Sequence, residues 1–107
     1  GDDADSKAVR DALGVSVIPL DPEIARQLGM GADVKGVVVD IPGSGSAAQA
    51  GIRRGDVLVS VNYKPVSNTA QLAAAIAEAK KAGRSAVLLG VKRRGAPTQY
   101  ATVRVDD

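Results

Sequence analysis

The chain has 107 residues, with 14 Lys and Arg against 12 Asp and Glu, a net charge of +2, and no cysteine or histidine. This length suits one domain with a core of its own. The balanced charge argues against a nucleic-acid surface, and the missing cysteine excludes disulfides and thiol catalysis. Tyr63 and Tyr100 are the only aromatic residues, so the core is predicted to be aliphatic.

The first residues are polar and acidic, which predicts a linker or an artificial remnant over residues 1–11 and a single domain over residues 12–107. Apolar residues alternate from Ala12 to Ile18 and predict the first strand of that domain. Pro19 follows directly and has no N–H to donate to a neighbouring strand. We therefore expect this strand at an edge of its sheet.

The middle of the chain alternates short helices with strands. Asp21 and Pro22 form a favourable helix start, and the apolar run Val37–Ile41 predicts a central strand. Pro42–Gly45 predicts a flexible turn. A helical turn of small residues, ended by Gly51, follows it, and the next strand begins at Val57.

The strongest predicted helix covers residues 69–82, with Ser67 or Asn68 as its cap and Gly83 at its end. Leu72, Ile76 and Ala79 recur at helical spacing on one face of it. Two strands, Ala86–Val91 and Gln99–Val105, complete the chain and are joined by a hairpin loop.

The segment Ser46–Asn62 carries the most specific pattern of the sequence. Small residues, Gly51, the Gly55-Asp56 turn and a strand ending in Val-Asn resemble the middle of a bacterial PDZ domain. The order of elements is similar to that family over Ala12–Val105. The entry strand and its continuation into a short helix are most like the second, C-terminal PDZ domain of periplasmic HtrA/DegP-type serine proteases.

This resemblance implies an α+β, β-rich fold: a small, partly open β-barrel or sandwich with one long groove-lining helix and one or two short helices. It also implies a domain that binds peptides rather than performing chemistry, as part of a protease in the periplasm. An extended peptide would add as a further strand to the edge strand, beside the long helix. The expected peptide-binding residues are Ala12, Leu13, Gly14, Val15, Ser16, Val17, Ile18, Leu72, Ile76 and Ala79.

The turn before the edge strand matches the PDZ loop whose backbone N–H groups hold a peptide's terminal carboxylate. The family's Gly-hydrophobic-Gly-hydrophobic pattern falls on Ala12–Val15, where Ala12 replaces the first glycine. Arg10 is a candidate charge on the carboxylate side, with a solvated linker charge as the alternative. Many PDZ domains place a histidine at the start of the groove helix, where this chain has Gln71 or Leu72. We therefore expect a preference for hydrophobic peptide residues.

The same apolar residues would also suit a simple core, and the sequence leaves that alternative open. Enzyme chemistry finds no support, because a Ser-His-Asp triad lacks its histidine and a zinc site lacks both histidine and cysteine. We expect no catalytic residue, metal or cofactor. If the parent protein is an HtrA-type protease, its triad lies outside this sequence.

Two functions remain open. The first is capture of peptide C-termini or unfolded segments for the protease. The second is assembly, in which the domain contacts other domains or protomers of the parent protein through the basic turns Arg53-Arg54 and Lys92-Arg93-Arg94. Neither function involves nucleic acid or membrane insertion.

Overall fold

The computed structural model describes residues 2–31, 34–41, 43, 45–93 and 95–105. Pro42, Ser44 and Arg94, which belong to predicted turns, lie outside the described residues. None of the described helices is long and apolar enough to cross a membrane. The elements follow in the order α1 (Asp2–Leu13), β1 (Ser16–Pro19), α2 (Pro22–Gln27), β2 (Val37–Ile41), α3 (Ser46–Gln49), β3 (Val57–Val61), β4 (Lys64–Pro65), α4 (Thr69–Lys81), β5 (Ala86–Lys92) and β6 (Gln99–Arg104).

The six described strands form one antiparallel sheet in the order β1-β2-β3-β5-β6, and the short β4 pairs with β3 off this path. The sheet does not close into a barrel, so β1 and β6 are its edges. The predicted α+β class is confirmed, as is the edge position that Pro19 indicated for the first strand.

Helix α1 is the main departure from the sequence-based expectation. The predicted strand was to begin at Ala12, but the chain stays helical to Leu13 and β1 begins at Ser16. Val9, Ala12 and Leu13 have the i, i+3, i+4 spacing of an amphipathic helix, and each is at most 1% exposed. Arg10 in the last turn favours the same structure by interacting with the helix dipole. The division into a linker over residues 1–11 and a domain over 12–107 stays a prediction.

The other helix signals are confirmed in detail. Asp21 Oδ1 accepts a hydrogen bond from Ile24 N at 2.8 Å, which caps α2. Asn68 Oδ1 accepts from Gln71 N at 2.8 Å, and Gln71 Oε1 accepts from Ser67 N at 2.7 Å. These reciprocal bonds satisfy backbone donors that the start of α4 would otherwise leave unpaired.

The core is aliphatic, as predicted. Strand β3 lies in the middle of the sheet, and Val57, Leu58 and Val61 are each at most 1% exposed. Both tyrosines are on the surface, where the rings of Tyr63 and Tyr100 pack with centroids 5.2 Å apart. Burial of Val, Leu, Ile and Ala therefore supplies the apolar stabilisation of the fold.

Asp56 is a buried carboxylate at the start of β3, only 5% exposed. Its Oδ2 accepts from the backbone N–H of Arg53 at 2.9 Å, and its Oδ1 accepts from Arg93 Nε at 3.1 Å. Arg93 also donates through Nη2 to the carbonyl of Gly51 at 2.8 Å. This network ties the turn before β3 to the loop after β5.

Asp56→Ala is expected to lower the free energy of unfolding by about 1–3 kcal/mol, because it leaves the Arg53 N–H and the Arg93 Nε without their acceptor. Asp40→Ala is the matched control. Asp40 lies 4.0 Å from Arg54, and their side chains are 39% and 79% exposed. Its loss should cost less than about 0.5 kcal/mol. Urea unfolding of both variants checks the difference, and equal midpoints would contradict it.

Candidate functional site

The expected groove is bounded by the edge strand β1 and the helix α4. Helix α1 packs against both of them. Its contact with α4 is more extensive than any contact that α4 makes with a strand. The space between β1 and α4 is therefore bordered by a third element that the sequence did not predict.

The structure brings most of the predicted site residues into one apolar cluster. The predicted site residues that belong to this cluster are each at most 6% exposed: Ala12, Leu13, Val15, Val17, Leu72, Ile76 and Ala79. Gly14, Ser16 and Ile18 are half-buried beside the cluster, and Arg10 is exposed on α1. Their proximity matches the predicted site, while their role in binding peptide stays a prediction.

Two surface depressions lie on the described part of the chain, and the first is lined in part by the predicted site residue Ala79. One of about 240 Å³ lies between α4 and the turn from β3 to β4. The other, of about 420 Å³, lies between the end of α2 and the turn before β3. Neither is lined by a residue of β1. The burial of Val17 and Leu72, together with the contacts of α1 with β1 and α4, indicates that little aliphatic surface is open between β1 and α4 in this conformation.

The loop expected to hold a carboxylate continues helix α1. Gly14 N donates to the carbonyl of Arg10 at 2.8 Å, which is a helix-ending bond. One of the expected carboxylate donors is therefore already paired. Ala12, which replaces the family's first glycine, lies inside the helix, and alanine is the residue that most favours helix.

Gly14 crosses the loop between β2 and α3 at very short range. A Cβ at Gly14 would lie 2.6 Å from Gly45 Cα, and one at Gly43 would lie 2.6 Å from the Gly14 carbonyl oxygen. Gly14 also has φ +78°, in the left-handed region that favours glycine. The sequence indicated only a flexible turn at Gly43 and Gly45, because nothing local marks them as the contact of Gly14.

The apolar cluster also contains residues that were not predicted from the sequence. Val9 is 0% exposed and belongs to the same cluster as the predicted site. Its spacing to Ala12 and Leu13 was the signal that could have identified it. Gln71, at the expected histidine position, has its amide oxygen bonded to Ser67 N, so it serves the helix start.

A family model described as "PDZ domain" matches residues 11–105 of the chain. The chain belongs to the PDZ family. Among curated proteins, this PDZ domain is 42% identical over 80 residues to the "Probable periplasmic serine endoprotease DegP-like" of Brucella suis biovar 1 (strain 1330), covering 74% of the chain and 14% of that protein. It is 33% identical over 91 residues to the periplasmic pH-dependent serine endoprotease DegQ of Escherichia coli (strain K12), covering 84% of the chain and 19% of that protein.

Two solved structures resemble the domain. The HtrA3 PDZ domain bound to the phage-derived ligand FGRWV superposes with a TM-score of 0.67 at 22% identity, covering 88% of this chain and 83% of that one, which shows the fold. The HtrA-type protease AlgW with a decapeptide superposes with a TM-score of 0.63 at 28% identity, covering 87% of this chain and 28% of that one.

These matches confirm a PDZ domain of the HtrA/DegP type. In HtrA proteases the PDZ domain is separate from the protease domain and is itself non-catalytic, which confirms that expectation for this chain. The domain spans less than a fifth of the length of either relative named here.

Gly14→Ala tests the close crossing of the two loops. Gly83→Ala is the matched control, since Gly83 has φ +81° but no atom within 4 Å of the position a Cβ would take, whereas Gly14 has φ +78° and meets backbone. The control should lose about 1 kcal/mol of unfolding free energy through the left-handed backbone alone. Gly14→Ala should lose about 1–3 kcal/mol more through overlap. Equal losses in urea unfolding would show that the loops separate freely.

Proposed function

We propose that the domain binds hydrophobic C-termini or extended segments of substrate proteins, by strand addition to β1 in the groove beside α4. It would act as the substrate-recognition part of an HtrA-type serine protease in the periplasm. The observation that carries the proposal is an edge strand lying beside an apolar helix face in a PDZ domain of this type. The periplasmic names of the relatives and the peptides named with the solved structures support it.

The chemistry of the groove supports an apolar ligand. Strand β1 pairs with β2 along one side only, so its other side can offer backbone groups to a peptide. Val15, Val17 and Leu72 supply aliphatic surface, and no histidine exists in the chain to receive a peptide hydroxyl. The ligand is therefore expected to carry hydrophobic residues at its terminus and at the alternate position.

Titration of the ¹⁵N-labelled domain with peptides ending in Val, Leu or Phe tests this proposal. We expect changes in the amide chemical shifts of Ser16–Ile18 and of Leu72–Ala79, with micromolar affinity because a short strand buries little area. Amidating the peptide's C-terminus should weaken binding by about tenfold, since it removes charge-assisted hydrogen bonds to backbone N–H groups.

Three results would contradict this function. The first is an absence of shifts in both segments at millimolar peptide. The second is equal affinity for the amidated and free peptides, which would refute capture of the carboxylate. The third is a strict requirement for Ser or Thr at the alternate position, which would refute the hydrophobic preference.

We propose assembly as a second candidate, because the depression of about 420 Å³ is lined by Arg53, Arg54 and Arg93. Arg93 is paired with Asp56, but Arg54 has only an exposed contact with Asp40 at 4.0 Å. Arg53 and Arg54 are both exposed, so their charges can meet an acidic surface on a neighbouring protomer of the parent protein.

The double substitution Arg53→Glu with Arg54→Glu in the parent protein tests assembly. If this surface joins protomers, light scattering should show loss of the large particles while cleavage of a small peptide is unchanged. Lys80→Glu with Lys81→Glu at the end of α4 makes the same charge change outside the depression and should leave particle size unaltered. If particle size is unchanged in both double variants, the proposal that Arg53 and Arg54 join protomers is wrong.

A further inference from the structure

Helix α1 packs against the two elements that border the proposed peptide groove. It contacts both walls, β1 and α4, more extensively than those walls contact each other. Val9, Ala12 and Leu13 are at most 1% exposed and share one apolar cluster with Val17 and the buried face of α4. A peptide that packed on the same apolar residues of β1 and α4 would therefore compete with α1 for them.

The attachment of α1 is apolar. Among its described side chains, those of residues 4–13, none forms a hydrogen bond or ion pair with the rest of the chain. Its opposite face is exposed at Lys7, Ala8 and Asp11. A hydrophobic peptide offers the same kind of contact and can therefore replace it without breaking a side-chain hydrogen bond or ion pair of these residues.

The end of α1 is linked to the carboxylate loop through one backbone bond. Gly14 N donates to Arg10 O at 2.8 Å, which requires the last turn of α1 to remain helical. If the last turn of α1 unwinds when the helix is released, this N–H loses its acceptor and becomes free to bind a carboxylate.

We propose that α1 is an internal competitor that occupies the β1–α4 groove in the unliganded domain and must leave before a peptide binds. This inference rests on the proposed peptide-binding function. The apparent dissociation constant then equals the intrinsic constant divided by the fraction of molecules in which α1 is released. Any change that weakens the docking of α1 raises that fraction and tightens peptide binding.

Val9→Asp tests the inference because it places a charge on the buried side of α1. Ala8→Asp makes the same charge on the exposed side of the same helix and is the control. Fluorescein-labelled FGRWV and peptides ending in Leu or Phe serve as probes, and fluorescence anisotropy gives the affinities. We expect Val9→Asp to bind the peptides at least about tenfold more tightly than the wild type does. The affinity of Val9→Ala should lie between these two, and Ala8→Asp should bind as the wild type does.

Amide hydrogen exchange of the wild-type chain gives a second measurement that needs no substitution. Saturating peptide should accelerate amide exchange in Val9–Leu13 and slow it in Ser16–Ile18. If the NMR spectrum of Val9→Asp shows that this variant has lost its folded sheet, hydrogen exchange of the wild type and the affinity of Val9→Ala test the inference instead.

The outcomes separate the two proposals. If all folded variants bind the probes equally and α1 stays protected in the complex, the inference is overturned while peptide binding stands. If no folded variant binds any probe, including those with α1 released, the proposed function itself fails. Tighter binding by the Val9 variants alone, with loss of α1 protection on binding, supports both.

Discussion

Burial of the apolar face of α4 is the interaction on which this domain depends. Leu72, Ile76 and Ala79 are at most 4% exposed, and they receive cover from the sheet on one side and from α1 on another. Because the core contains no aromatic ring, it is filled by many small aliphatic contacts. Any element that covers this face of α4, whether α1 or a peptide, must therefore do so through aliphatic contacts.

The residues of the proposed peptide site are therefore also residues of the folded core. The sequence left open whether Leu13, Val15, Val17, Leu72 and Ile76 serve a groove or a core. In the structure all five are buried in the core: Leu13 is part of α1, and the other four lie in the same apolar cluster as the buried residues of α1. A PDZ groove must expose aliphatic surface to bind, and exposed aliphatic surface is unfavourable in water. An internal helix resolves that conflict, at the cost of affinity for any external peptide.

Two further contacts, one polar and one steric, fix the loops around this apolar core. Asp56 and Arg93 fix the turn before β3 to the loop after β5. Gly14, Gly43 and Gly45 let the end of α1 approach the β2–α3 loop more closely than any side chain would allow. These contacts keep the entry to β1 in place, so a conformational change of α1 can occur at one side of the domain while the sheet stays intact.

The sequence by itself determined the family and the elements whose signals are local. Asp21 and Asn68 cap the helices they were expected to cap, Gly83 follows α4, and Pro19 lies on an edge strand, because each signal acts within a few residues of itself. Only the tertiary structure decided the state of the groove. Val9, Ala12 and Leu13 have the spacing of an amphipathic helix, but they stand in a polar segment, and their burial depends on packing against α4, which lies far along the chain. Spacing does not say which element will cover a helix face, so only the tertiary structure placed α1 against both β1 and α4.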